Sequence, residues 1–168
     1  MTVFLVRHAQ AGTRADFQSD DDRLRPLTDE GRHQSAALVG TLVDLGVTAA
    51  YSSPFRRCVQ TAVPIAAHLR ISVIETEALA EGPSDDAYAL VRSLAHESAA
   101  LFSHGDIIPG VLQSLVFADA LFLGTNPRCQ KASIWMLEAA RPSETAKLSS
   151  PNVFVRATYV PPPRWTML

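Results

Sequence analysis

The sequence predicts an α/β fold, a three-layer α/β/α sandwich with a mostly parallel central sheet. Three observations lead there. Short apolar runs alternate with longer amphipathic segments from Val3 to Leu115, the pattern of strands joined by crossover helices. Residues that start or stop helices stand at the junctions, among them Thr28, Gly46 and Ser53. The 168 residues, 47% of them hydrophobic, suffice for one domain with a sizeable core.

The elements follow in order. Val3 to Val6 is a first strand. Residues 11–26 are polar and irregular. Residues 28–45 form the first helix, with Thr28 as N-cap, Leu38, Leu42 and Leu45 on one face, and Gly46 as the stop. Val47 to Tyr51 is a second strand. Ser53 is expected to cap the next helix, with Pro54 in its first position, where a missing N–H costs nothing. Ile71 to Ile74 is a third strand. A helix capped by Ser84 or Asp85 buries Ala87, Leu90, Val91 and Leu94. Ala99 to Ser103 is a fourth strand, and the helix after it, with Asp106 at its cap, turns Ile107, Ile108, Val111, Leu112 and Leu115 inward. Ser133 to Glu138 and Val153 to Tyr159 are late strands suited to antiparallel pairing. Residues 161–168 are an extended Pro-rich tail. With no repeat and no central linker, residues 1–168 are expected to form a single domain.

Composition narrows the function. A net charge of -2 without a long basic run argues against nucleic acid as the main partner. No apolar stretch approaches the ~20 residues that span a bilayer, so no membrane partner is expected. The start lacks the basic and apolar regions of a signal peptide, which points to a cytoplasmic protein. Cys58 and Cys129 have no metal-ligand spacing and suit reduced thiols, with a single disulfide as the alternative. Asp20-Asp21-Asp22 reads as a solvated loop, because three adjacent side chains rarely converge on one ion. Oligomeric state is not legible.

The chemistry lies at the strand ends. In a parallel sheet, ligands bind beyond the carboxyl ends of the strands. The first strand ends in Arg7-His8 and the fourth in His104-Gly105. The second leads into a helix whose first turn carries Arg57. Two guanidiniums can hold a tetrahedral dianion through paired hydrogen bonds, and helix N-termini add N–H groups and partial positive charge. One imidazole can attack phosphorus while the other donates to the phosphoryl oxygens. Arg56, His33, His68 and His96 suit solvated or packed positions, Cys58 a buried one, and Trp135 the core.

Arg7-His8, Arg57-Cys58-Val59-Gln60-Thr61-Ala62, Ser103-His104-Gly105 and the segment Pro26 to Gln34 resemble the histidine phosphatase superfamily, also called the phosphoglycerate mutase-like or RHG family. The resemblance runs from residue 2 to about residue 118 and is similar to two compact bacterial groups. These are the SixA-type phosphohistidine phosphatases and the phosphatase domain of Nudix-fused actinobacterial proteins. Ala9 stands where many members have glycine. The resemblance implies that His8 is the phosphorylated nucleophile, that Arg7, Arg57 and His104 bind the phosphate, and that Glu81 is the general acid, with Asp106, Asp85 and Asp86 as alternatives. It implies a phosphatase that needs no cofactor or metal and hydrolyses a phosphomonoester or phosphoramidate. The substrate would be a small phosphorylated metabolite, a nucleotide or a phosphohistidine protein. The alternative is a catalytically silent module that only binds phosphate or a phosphoprotein; such a module would be expected to have lost His8 or an arginine.

Overall fold

The computed structural model describes residues 1–124, 127–140 and 153–164. Its elements are β1 (Thr2–Arg7), α1 (Asp29–Asp44), β2 (Ala49–Ser52), α2 (Arg56–Leu69), β3 (Val73–Glu75), α3 (Asp85–Ser93), β4 (Ala99–Ser103), α4 (Ile107–Asp119), β5 (Ile134–Ala139) and β6 (Phe154–Val160). Single 3-10 turns cover Asp22–Leu24 and Glu77–Leu79. The strands form one sheet in the order β3-β2-β4-β1-β5-β6. The first four are parallel, and β5 and β6 add antiparallel pairs at one side. The expected α/β sandwich with a mostly parallel sheet is therefore the observed fold.

Period-2 alternation along the strands divides the core into two. Phe4, Val6, Ala50, Ala100 and Phe102 point to one face, where Leu38 and Leu42 of α1 and Cys58, Ala62 and Ile65 of α2 cover them. Val3, Leu5, Ala99, Leu101, Trp135 and Leu137 point to the other, beneath Ala87 and Val91 of α3 and Ile108, Val111, Leu112 and Leu115 of α4. A helix layer on each side buries both faces of the parallel strands, which explains why they read as nearly continuous apolar runs.

Local chemistry sets most helix ends. Thr28 accepts the N–H of Gly31, and Gly46, at φ 73, lies just past the end of α1. At α2 the expectation needs correction. The helix begins at Arg56 with Phe55 as N-cap, so Ser53 and Pro54 lie ahead of it. The Ser53 hydroxyl accepts the Phe55 N–H at 3.3 Å and turns to His104 instead. Ser84 and Asp106 occupy N-cap positions, but neither makes a capping hydrogen bond with its side chain. The third strand starts two residues later than expected, at Val73. Within α2, Pro64 cannot donate to Gln60, and the single hydroxyl hydrogen of Ser35 in α1 lies between the Thr61 and Gln60 carbonyls, with Oγ 2.9 and 3.3 Å from them.

The far end of the sheet is fastened through Asp119. This buried carboxylate pairs with Arg92 at 3.1 Å and accepts the Val153 and Phe154 N–H groups at 3.0 and 3.2 Å. Across the same edge, the Ala140 N–H donates to the Val153 carbonyl at 2.9 Å. Of the expected Pro-rich tail, residues 161–164 follow β6 without regular structure, and residues 165–168 lie outside the described residues. No described helix is long and apolar enough to cross a membrane.

Candidate active site

Strand register brings the two histidines together. Arg7 of β1 is level with Ser103 of β4, so the next residue on each strand is a histidine leaving the same sheet edge. The His8 N–H donates to the Ser103 carbonyl at 3.0 Å, and the two rings face edge to face with centroids 5.4 Å apart. On the other side of β4, Ser52 is level with Phe102, and the Ser53 N–H donates to the Phe102 carbonyl. The chain then enters α2, whose first turn brings Arg57 in beside them. Arg7, His8, Arg57, Glu81 and His104, all singled out by the sequence, meet at this edge.

Each side chain is held by its surroundings. His8 is 5% exposed, and its Nδ1 lies 2.8 Å from the Ala9 carbonyl. A carbonyl only accepts, so Nδ1 carries the proton and Nε2 keeps its lone pair. Burial, assisted by the charges of Arg57 and Arg7, lowers the His8 pKa to about 3, which leaves the ring neutral at ordinary pH. His104 is 1% exposed, and its pKa is lowered to about 2, again chiefly by burial. Its Nε2 lies 2.8 Å from the Ser53 hydroxyl and its Nδ1 3.3 Å from Glu81 Oε1. That second contact joins a neutral imidazole to a carboxylate and is not an ion pair. Because Ser53 Oγ already accepts from Phe55, its own hydrogen can go to Nε2, which leaves a proton on Nδ1. Phe55 packs edge-on against His104 at 4.8 Å and lies 4.6 Å from the Arg57 guanidinium.

Arg57 is fully buried. Its Nη1 donates to the Asp22 carbonyl at 2.9 Å, and its Nη2 meets Glu81 Oε1 at 2.5 Å and Asp22 Oδ2 at 3.2 Å. Arg7 donates to the Cys129 carbonyl at 2.5 Å and lies over Gly105, where a Cβ would come within 2.6 Å of the guanidinium carbon. Arg7 Nε and Arg57 Nε are both buried with no hydrogen-bond partner among the described residues. Buried donors of that kind call for an acceptor. Arg7 and Gly105, just ahead of α4, line an open pocket of about 390 Å³ together with His8, Glu81 and Asp106. Asp85 and Asp86 open instead onto a separate hollow on the far side of Glu81. A third hollow, apolar and beside α4, shares no residue with the histidine pocket.

Three residues of the site lie outside the set found from sequence. Asp22 is a structural anchor and not the solvated loop residue expected. Its carboxylate takes two hydrogen bonds from Arg25, at 2.7 and 3.2 Å, besides contacting Arg14 and Arg57. The Arg25 hydrogen bonds are the main cause of its pKa falling to about 2. Arg25 and Lys131 line the pocket. The aspartate-rich loop and the segment Lys131 to Trp135 resemble the Nudix-fused group, a likeness that assigns these residues no role, and the Asp22–Arg25 spacing of three is the further signal for the first pair. The remaining motif residues serve as fasteners. Thr61 accepts the Ala9 N–H at 3.0 Å, and Gln60 accepts the Leu27 N–H at 2.8 Å, which ties the loop after β1 to α2. Cys58 is buried against His104, with its thiol pushed up to about 12 by desolvation. Both cysteines are free. Among the described residues, no group of three histidine, cysteine, aspartate or glutamate side chains could hold a metal ion.

Residues 3–85 match the model of the histidine phosphatase superfamily (branch 1). Over 122 residues, the chain is 34% identical to the 8-oxo-(d)GTP phosphatase of Mycolicibacterium smegmatis. The match takes in 67% of this chain and 36% of that protein, so the chain spans about a third of the relative's length. Among solved structures, it is similar to one assigned as the phosphohistidine phosphatase SixA of Nakamurella multipartitia. That pair is 22% identical with a TM-score of 0.72, over 96% of this chain and 95% of that one. It is likewise similar to the protein histidine phosphatase SixA complexed with tungstate, at 21% identity and a TM-score of 0.69, over 95% and 94% of the two chains. The motif order from β1 to β4, the sheet that brings those motifs to one edge, and these relatives make this chain a member of the histidine phosphatase superfamily.

Proposed function

We propose that this protein is a metal-independent phosphatase that works through a phosphohistidine on His8. The observation that carries the reading is the neutral His8 ring beside two buried arginines. Its Nδ1 proton is committed to the Ala9 carbonyl, while Arg7 and Arg57 each keep a buried Nε–H without a partner. A phosphoryl group in the pocket supplies the missing acceptors and meets the free lone pair of Nε2 in line. Nε2 attacks phosphorus, and the bond to the leaving oxygen or nitrogen breaks with its electron pair on the leaving atom. Glu81, as the general acid, gives that atom a proton. Arg7, Arg57 and His104 Nδ1–H stabilise the charge on the three equatorial oxygens. Water, giving a proton to the Glu81 carboxylate, then attacks the phosphohistidine. This releases inorganic phosphate and returns the lone pair to Nε2. The sum is one water consumed for each phosphate released.

The substrate is a small phosphorylated metabolite, a nucleotide or a phosphohistidine protein. The mycobacterial relative's name favours a nucleotide. Two free thiols and the absence of a membrane-crossing helix among the described residues support a cytoplasmic site of action.

Para-nitrophenyl phosphate tests the reading. Turnover should persist in excess EDTA, and rapid quenching should trap phosphate on His8. His8→Ala should lower turnover by at least about 10³-fold while leaving the melting curve in place. Label on Cys58 or a serine, or activity restored only by added magnesium or zinc, would refute it.

A further inference from the structure

The pocket holds one more cation than the transfer of a single phosphoryl group requires. Lys131 stands in the turn before β5, and that turn is fastened to the strand end bearing the nucleophile. The Ala132 N–H lies 3.1 Å from the Arg7 carbonyl and 3.3 Å from that of His8. Ala132 is fully buried at φ 60, a left-handed conformation that costs a residue with a Cβ and persists only where the surroundings enforce it. This tight turn leaves the Lys131 side chain on the pocket wall while Ser133 returns to the sheet, its carbonyl accepting the Arg7 N–H. The ammonium is also held: it donates to Gln10 Oε1 at 2.5 Å. Gln10 is itself fixed through its backbone to Gln34 and Thr28.

The charge around Lys131 is unbalanced. Arg25, its neighbour on the wall, is paired with the Asp22 carboxylate, to which it donates two hydrogen bonds. Lys131 has no carboxylate oxygen within 4 Å among the described residues; Glu30, which favours its charged form, lies beyond that distance. Partial burial, then Arg7, Arg25 and Arg57, press its pKa downward. An immobilised ammonium among three guanidiniums has one evident use, to meet an anion larger than the phosphoryl group between Arg7 and Arg57.

We propose that Lys131 selects substrates that carry a second anionic group close to the transferred phosphoryl group, and that it receives that group at the pocket wall. The inference rests on the hydrolytic reading above. The second group is a further phosphate joined as an anhydride, or a carboxylate on the leaving group. A phosphohistidine on a protein offers neither from its own side chain and is a poor fit.

Two matched pairs test this with the purified protein: methyl diphosphate against methyl phosphate, and 3-phosphoglycerate against glycerol 3-phosphate. The quantity read is the ratio of kcat/KM within each pair, so differences in leaving group cancel when variants are compared. Lys131→Met should lower the ratio by about tenfold or more, mainly through KM, in at least one pair, and Lys131→Arg should recover most of it. A change confined to the first pair identifies a phosphate, and one confined to the second a carboxylate. Equal losses on both members of both pairs would overturn the proposal, because Lys131 would then serve the transferred phosphoryl group or the fold. So would unchanged ratios. Lys131→Gln repeats the comparison should the methionine variant fold poorly. If no phosphate ester is turned over and no phosphohistidine forms, the hydrolytic reading is what has failed. Calorimetry with pyrophosphate and inorganic phosphate then reads the site alone. Lys131→Met should weaken pyrophosphate about tenfold more than phosphate, and equal weakening would overturn the proposal.

Discussion

A neutral imidazole in a buried site makes stability depend on pH. An unfolded histidine takes a proton near pH 6.5, whereas folded His8 waits until about 3 and His104 until about 2. Between those values the unfolded chain binds more protons, so stability falls as pH drops from 6.5 toward 3 and is fully present above 6.5. The urea midpoint should fall clearly between pH 7 and pH 4.5, and His8→Asn should flatten that slope. A midpoint independent of pH would show that burial does not hold the rings neutral. At Glu81 the leaving group decides the outcome. A general acid matters most where the departing atom is most basic. Glu81→Gln should therefore slow alkyl phosphates by about 10²-fold or more and para-nitrophenyl phosphate far less. Equal slowing would limit Glu81 to binding and to its contacts with Arg57 and His104. No slowing would move the acid to Asp106, the remaining carboxylate on the pocket wall.

Elements, more than single residues, determine which parts of this site sequence can disclose. Arg7, His8, Arg57 and His104 were legible because each stands at the end of a strand or in the first turn of a helix, where local pattern fixes position and topology gathers the ends at one edge. Ser53 was misread for a related reason. A serine before a proline satisfies local capping rules, and only the adjacent strand brings His104 close enough to take its hydroxyl. Asp22, Arg25 and Lys131 stand on loops whose meeting depends on tertiary packing, so spacing alone could not place them. Two glycines separate function from folding at this level. At Gly105, at the entry to α4, an added Cβ would press on the movable end of Arg7. Gly105→Ala should thus lower kcat/KM by about 10²-fold and weaken inhibition by phosphate or vanadate, with little change in melting temperature. At Gly31, in the first turn of α1, the Cβ would fall 1.9 Å from the Gln10 backbone oxygen, which cannot step aside. Gly31→Ala should instead destabilise the fold by about 1–3 kcal/mol, seen as an earlier denaturation midpoint. The reverse pattern would mean that Arg7 is dispensable and the approach of α1 to the loop after β1 is loose.

Across the whole molecule, a chain of net charge -2 carries a pocket lined by Arg7, Arg25 and Lys131, with the buried Arg57 beside His104. A slightly negative chain with a cation-lined recess favours small anions that can enter over extended polyanions that must lie along the surface. The late antiparallel strands were legible as strands, and pairing completed what the sequence left open: β5 lies beside β1, and β6 beside β5, far from the parallel edge at β3. The Asp119 clasp bears on how this architecture tolerates change. Arg92, Asp119 and the Val153 and Phe154 amides bind the start of β6 to the helices, and Ala140 is bonded to Val153 directly. The two chain ends flanking residues 141–152 are thus joined by the fold as well as by the covalent chain. Asp119→Ala should therefore cost about 3–5 kcal/mol while leaving kcat/KM within about twofold, because none of the clasp residues lines the histidine pocket. An unchanged denaturation midpoint would mean that pairing with β5 alone holds β6. If the clasp does hold it, stability and catalysis can be tuned separately in this molecule, with one carboxylate serving as the adjusting screw.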